Sequence, residues 1–391
     1  MKAAKNYFCL TKIFGTPPYN IYIIPCPSDL VTVYDIKTFG NIVYFCGQNI
    51  NAKGFFGYFN LNDFFSTTSS LQVYSITNFC SLNKMIIYNN SNGSEKLVAT
   101  GFLPHNNSCI SNGILEATNP SSSSILINYY DLTDASNGNI NEYVYDVVLT
   151  HHFVLFVGKQ LSPSNRPLCI RRAHRDNIPG TIENLYEYSF PAGEINHAVY
   201  ATYMIPDKKL AVAYVHPGTT PQFTTRTHII NAETDMSVTS SQEYVIDNKY
   251  EPYEMTYISS DKKIVILHNC LNSISSHSKF FILDPTMTIS NNMPMLYSPS
   301  IEFSSLDLTR NSYFISVGGP FWFLQHFPAS FDYGSTQCPM SMQNPVHVLS
   351  PATVGISRSP LNPHILSNIS NGYIRETRSS TVFVYCQESN K

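Results

Sequence analysis

Two aspartates of this chain stand in the same setting. Asp35 lies in Tyr34-Asp35-Ile36 and Asp146 in Tyr145-Asp146-Val147, and twelve residues after each comes a glycine, Gly47 or Gly158, at the end of an apolar run. The copies are 111 residues apart, so a half-period of about 55 should hold a third. Tyr88-Asn89, with Gly101 again twelve residues on, fills that place, and Asp307 falls close to the same point of a later unit. Side chains that recur at one point of a repeat converge when the repeats surround an axis. Asp35, Asn89, Asp146 and Asp307 would then offer oxygens to a hard cation, or to the hydroxyls of a ligand. The plainer alternative is that each accepts hydrogen bonds from the backbone of its own repeat, as short polar side chains often do.

Three other groups have chemical potential. Trp322, the only tryptophan, sits among Phe321, Phe323 and Phe327; exposed, it would stack on sugar rings or anchor a protein partner, and as an alternating strand it would pack inward instead. Arg171 and Arg172, followed by His174 and Arg175, form the densest basic cluster. Guanidinium forks suit a carboxylate or sulfate, whereas a solvated sheet edge explains the same residues without a ligand. His151-His152 falls in a hairpin turn, where neighbouring side chains point apart and no third ligand is near, so neither a metal nor a cofactor is expected there. No Gly-x-Ser-x-Gly elbow and no glycine-rich loop feeding a helix is present. Acid–base residues drawn from separate repeats would leave no local motif at all.

The elements that must position these residues are strands. Apolar and aromatic runs of strand length are separated by Ser-, Asn- and Asp-rich turns, and no helical period lasts beyond about two turns. A second feature confirms the period. Tyr203 to Leu210, with Asp207-Lys208-Lys209, is answered by Tyr257 to Ile264, with Asp261-Lys262-Lys263, at an offset of 54. Polar turns of this kind join antiparallel strands. All-β is the expectation.

Strand repeats of this length resemble the blades of the β-propeller superfold, four antiparallel strands each around a channel. The resemblance covers the chain from about residue 31 and implies a single domain over 1–391. Carried to the last residue, the period gives seven four-stranded blades, with six and eight as the neighbouring counts; the seventh lies between Val346 and Cys386. Residues 1–30 hold one apolar run between prolines, suited to an edge strand that closes the last blade. In this reading a long loop, Phe102 to Ser124, interrupts the second blade. The WD40 pair, the repeated kelch double glycine and the sialidase Asp-box are missing. In its low charge and aromatic-rich blades the chain is similar to secreted propellers of Bacteroidetes of unassigned function, a likeness that implies a fold and a setting and no active site.

Charged residues make up 13% and the net charge is −3, which is not the footprint of a nucleic-acid binder. No apolar run reaches the roughly 18 residues of a membrane span. Nine widely spaced cysteines show no zinc spacing and read as mostly buried thiols, with a bridge involving Cys9, Cys26 or Cys386 as the alternative. The N-terminus lacks a continuous apolar segment, and the composition suits an extracytoplasmic protein whose leader has been removed. The function expected is a non-catalytic binding module of the envelope or exterior that presents a loop face to a glycan or protein partner. The alternative is a glycoside hydrolase or lyase with acidic and histidine residues around the channel mouth.

Overall fold

The computed structural model describes residues 7–12, 21–105, 108–122, 124–131, 142–160, 168–178, 183–188, 199–204, 207–217, 223–245, 250–259, 262–270, 278–283, 295–297, 303–308, 313–318, 341–343, 347–349, 373–381 and 383–385. They are all-β, with one short 3₁₀ turn at Leu61–Phe65. Two strands open the chain, β1 (Tyr7–Lys12) and β2 (Ile21–Pro25). Sheet I follows as β3 (Thr32–Phe39), β4 (Ile42–Gln48), β5 (Gly54–Asn60) and β6 (Thr68–Ile76). Sheet II is β7 (Ser81–Asn89), β8 (Glu95–His105), β9 (Ser108–Thr118) and β10 (Leu126–Asp131). Sheet III is β11 (Glu142–Leu149), β12 (Phe153–Gln160), β13 (Leu168–His174) and β14 (Glu183–Tyr188). Sheet IV is β15 (Val199–Met204), β16 (Lys209–Pro217), β17 (Phe223–Ile230) and β18 (Val238–Val245). Sheet V is β19 (Tyr250–Ile258), β20 (Lys263–Cys270), β21 (Ser278–Leu283) and β22 (Met295–Tyr297). Sheet VI begins with β23 (Phe303–Leu308) and β24 (Tyr313–Gly318) and takes in β1 and β2 as its next two strands. Four late strands remain: β25 (Ser341–Gln343), β26 (His347–Leu349), β27 (Tyr373–Thr381) and β28 (Phe383–Tyr385). All pairings are antiparallel.

The sequence of the second strands explains how the sheets stack. Val43, Tyr44, Phe45 and Cys46 of β4 are all buried. Successive side chains of a strand point to opposite faces. Val43 and Phe45 accordingly pack with Phe8 and Ile24 of sheet VI, and Tyr44 and Cys46 with Leu82 and Met85 of sheet II. The same alternation links II to III, III to IV and IV to V through separate apolar clusters. A strand covered on both faces needs apolar residues throughout, which is why Phe153–Val157 and Leu210–Val215 lack polar alternation. First strands also touch in order: β3 meets β7, β7 meets β11, β11 meets β15, β15 meets β19, β19 meets β23, and β23 meets β3.

Two expectations are corrected. The stretch expected to be a long loop in the second unit contains β9, whose Ser- and Asn-rich start conceals a strand that pairs with β8 along most of its length and with β10 over Gly113–Thr118. Within the stretch expected to form a seventh unit, the described strands are outer fifth strands, β26 pairing with β18, β27 with β6 and β28 with β2; β25, just ahead of that stretch, pairs with β22 in the same way. The described strands therefore form six sheets. Cys26, Cys46 and Cys169 are buried thiols, whereas Cys80 is disulfide-bonded. No helix among the described residues is long and apolar enough to cross a membrane.

Candidate ligand pocket at the inner-strand bulges

The Tyr-Asp…Gly spacing has a mechanical cause. In β3 the register with β4 skips from Val33↔Gly47 to Asp35↔Cys46, so Tyr34 is an extra residue, a β-bulge. The same skip occurs at Asn83 in β7, Tyr145 in β11, Tyr253 in β19 and between Phe303 and Ser305 in β23. A bulge bends its strand and presses the backbone onto the partner. A Cβ on Gly47 would lie 1.9 Å from the Thr32 carbonyl oxygen, one on Gly101 2.0 Å from that of Ser81, and one on Gly158 1.8 Å from that of Tyr143. At these three positions only glycine leaves room, whereas at the β19 bulge the paired residue is His268. Sheet IV has no such skip, and Tyr214 stands where the glycine would be. Bulges of this kind re-aim side chains. Four of the extra residues, Tyr34, Asn83, Tyr145 and Tyr253, line one cavity of about 380 Å³ with Tyr200 and Phe102. Gln48, Cys80, Ser81 and Lys84 complete the wall. The rings of Tyr200 and Tyr253 lie 5.9 Å apart at 33°.

Beside this wall is a buried charge cluster. Asp35, which follows the bulged Tyr34, is fully buried and accepts the Met85 amide of the next sheet at 2.8 Å. Asp146 accepts the Ala201 amide of sheet IV and its neighbour Val147, both at 2.8 Å. Asp307 accepts the amide and hydroxyl of Thr38 at 2.6 and 2.8 Å. Each acid thus ties one inner strand to the backbone of the following one, and the bonds within an acid's own repeat, the plainer alternative offered by the sequence, are seen beside this at Asp146 with Val147. Lys37 bridges Asp35 at 3.1 Å and Glu254 at 3.4 Å. Lys84 binds Glu254 directly and lies 3.7 Å from Asp35, with its ammonium 5.4 Å from the Tyr200 ring centre.

The two lysines respond in opposite senses. For Lys37 burial depresses the pKa, but Asp35, Asp307 and Asp146 more than offset it, and the group rises above its ordinary value. For Lys84 burial outweighs its carboxylates and the pKa falls. Asp146 is pushed up to about 6, chiefly by burial, against the pull of Lys84 and the Ala201 amide. Burial likewise raises the Cys46 thiol well above its usual range, with Asp35 adding to the effect, so Cys46 is inert packing. Among the described residues no three His, Cys, Asp or Glu side chains are grouped to hold a metal. The carboxylates are occupied by lysines and amides, and the cavity wall itself offers aromatic faces, amides, a hydroxyl and one neutralised ammonium. Such a wall can bind and orient. None of its described lining residues is a carboxylate.

Of the residues singled out in the sequence, Asp35, Asp146 and Asp307 are brought to the inner strands. Asn89 is not. It ends β7 at an exposed hairpin, and the residue paired beside Gly101 is Lys84, paired with Thr100. Arg171 is buried, and Arg172 stacks on Phe153 and Tyr186 while donating to the Thr234 carbonyl at 3.2 Å. Arg175 donates to the carbonyls of His151 and Asn89 and lies over Tyr88. The Arg172 and Arg175 contacts are latches between strands and sheets. Trp322 lies outside the described residues. Lys84, Glu254 and the tyrosine wall were not anticipated. Tyr253-Glu254 repeats the Tyr-acid signature of Tyr34-Asp35 and was the available signal. No protein-family model matches the chain, and no curated protein matches it in sequence.

Proposed function

We propose that the chain is a six-bladed β-propeller that serves as a non-catalytic binding module of the cell envelope or exterior. The blade count rests on six sheets stacked in chain order, with contacts that run from each first strand to the next and return from β23 to β3. The extracytoplasmic setting draws on the disulfide at Cys80, since such bonds persist in oxidising compartments. One observation carries the function: aromatic side chains from four of the first strands, with Phe102 of β8, converge on one cavity, while the acids next to it are spent on structure. A glycan or a protein partner is the ligand class this reading assigns to that face.

The rival, a carbohydrate-active enzyme, draws its support from the raised Asp146, because perturbed carboxyls cluster at active sites. Against it, Asp146 is 4% exposed, accepts two amides and is not part of the cavity wall. The test is a glycan array probed with the purified chain, with reducing-end release measured on every hit. A specific hit that stays uncleaved supports the module. Turnover of a hit would replace it with the enzyme, and a blank array would remove glycans as partners.

A further inference from the structure

The wall chemistry narrows the ligand further. Of the ten lining residues among those described, five are aromatic, and Lys84 is the only one of them with a formal charge. That charge is already met by Glu254 and Asp35, so an anion gains no unmatched cation. Two polar atoms in the wall have no protein partner among the described residues. Gln48 donates Nε2 to the Cys80 carbonyl at 3.0 Å, which leaves its Oε1 as an open acceptor. Asn83 accepts the Ser81 hydroxyl on Oδ1 at 2.9 Å, which leaves its Nδ2 as an open donor. About 380 Å³ is at the small end of the range of roughly 300–1,000 Å³ for small-molecule sites. It admits a ring and excludes a protein surface, which needs about 800 Å² per partner.

We propose that this cavity takes one neutral sugar ring, as a free hexose or as the terminal unit of a longer glycan. A C–H face of the ring packs on the tyrosines, one hydroxyl donates to Gln48 Oε1, and another accepts from Asn83 Nδ2. Hydroxyls act as both donor and acceptor, which suits a wall presenting one of each. A planar base is held best by a ring lying parallel to it, or by two that sandwich it. Here Tyr34, Tyr145, Tyr200 and Tyr253 come from four different strands, and Tyr200 and Tyr253 lie side by side and tilted.

This inference rests on the binding-module reading, and its test separates the two. The probes are methyl hexosides, the matching uronic acids and adenosine, titrated by calorimetry against the full chain and its Tyr253→Ala, Tyr253→Phe and Asn83→Ala variants. Neutral hexosides are expected to bind best, Tyr253→Ala to weaken them about tenfold and Asn83→Ala about five- to tenfold. Tyr253→Phe keeps the ring and should stay within about twofold. Preference for the uronic acids or adenosine would overturn the ligand class. Glycan binding unchanged in Tyr253→Ala and Asn83→Ala would overturn the cavity assignment and leave the module standing. Absence of binding by every hexoside together with a blank array would overturn both. A circular-dichroism melt accompanies each variant. If Tyr253→Ala does not fold, the decision passes to Asn83→Ala, a half-buried residue with one side-chain bond.

Discussion

Replacing Lys84 by methionine tests whether the buried charges hold the inner strands together. The ammonium is 5% exposed and sits between Glu254 and Asp35. Methionine keeps most of the stem and removes the charge, which leaves Glu254, Asp35, Asp146 and Asp307 with Lys37 as their remaining ammonium. Taking one partner from a buried pair typically costs about 3–5 kcal/mol, because the other charge stays desolvated. With an unfolding entropy of about 2.1 cal/mol/K per residue, a chain this long loses about 4–6 °C of melting temperature for that change. The decisive measurement is a double-mutant cycle with Glu254→Gln, read by thermal melts at pH 7. Lys84→Met alone should fall by those degrees, and the double variant should recover about half or more, since the stranded carboxylate is gone. A single variant within about 1 °C of the parent, or a double variant that loses the sum of both singles, would refute the coupling.

Asp146 gives a pH prediction. Its folded pKa, about 6, lies above the ordinary 3.8, so protonation favours the folded state. The contribution is complete below the unfolded value and is lost as pH rises through about 6, on the order of 2–3 kcal/mol in all. His228 works the other way. Burial, with Arg226 adding to it, lowers its pKa to about 3, so its contribution is present above about 6.5 and is lost as pH falls toward 3. The Asp146 effect is therefore read as the difference between parent and Asp146→Asn melts from pH 4 to 8, and a difference flat across that range would count against it. Gly158→Ala forces a Cβ to 1.8 Å from the Tyr143 carbonyl and should destabilise by about 1–3 kcal/mol in urea titrations, while Gly40→Ala, with open space but positive φ, should cost about 1 kcal/mol. Arg378→Ala removes contacts with Asp29 at 2.8 Å and with Glu376; all three are partly exposed, so a loss below about 1 kcal/mol is expected.

The strand period was legible because it has a steric origin: a bulged tyrosine, an acid after it and a glycine opposite occur together in β3–β4 and again in β11–β12, where the bulge presses one backbone onto the next strand. The third copy was misplaced for an equally physical reason. Lys84 to Gly101 spans 17 residues where Asp35 to Gly47 spans 12, because the hairpin closing β7 and β8 is longer. A fixed spacing therefore landed on exposed Asn89. Lys84 also broke the pattern by being basic, although charge alternation around the cluster is what neutralises it. The cavity was hidden because its wall is made by register shifts, and with 26 tyrosines no single one stands out. The fifth strands were hidden because β25, β26 and β28 are three residues long and their partners lie far away in sequence.

Sheet VI sets a timetable for the chain's birth. Tyr7 pairs with Gly318, and Ile21 pairs with Tyr385, close to the last residue. At a synthesis rate of about 5–20 residues per second, β1 and β2 emerge some tens of seconds before β24. Until then their edges are bare, and the sheet cannot be completed by any earlier part of the sequence. A nascent chain built this way keeps sheet VI open to holdase chaperones through the synthesis of all five other sheets, and the sheet locks only when β24 and β28 reach β1 and β2.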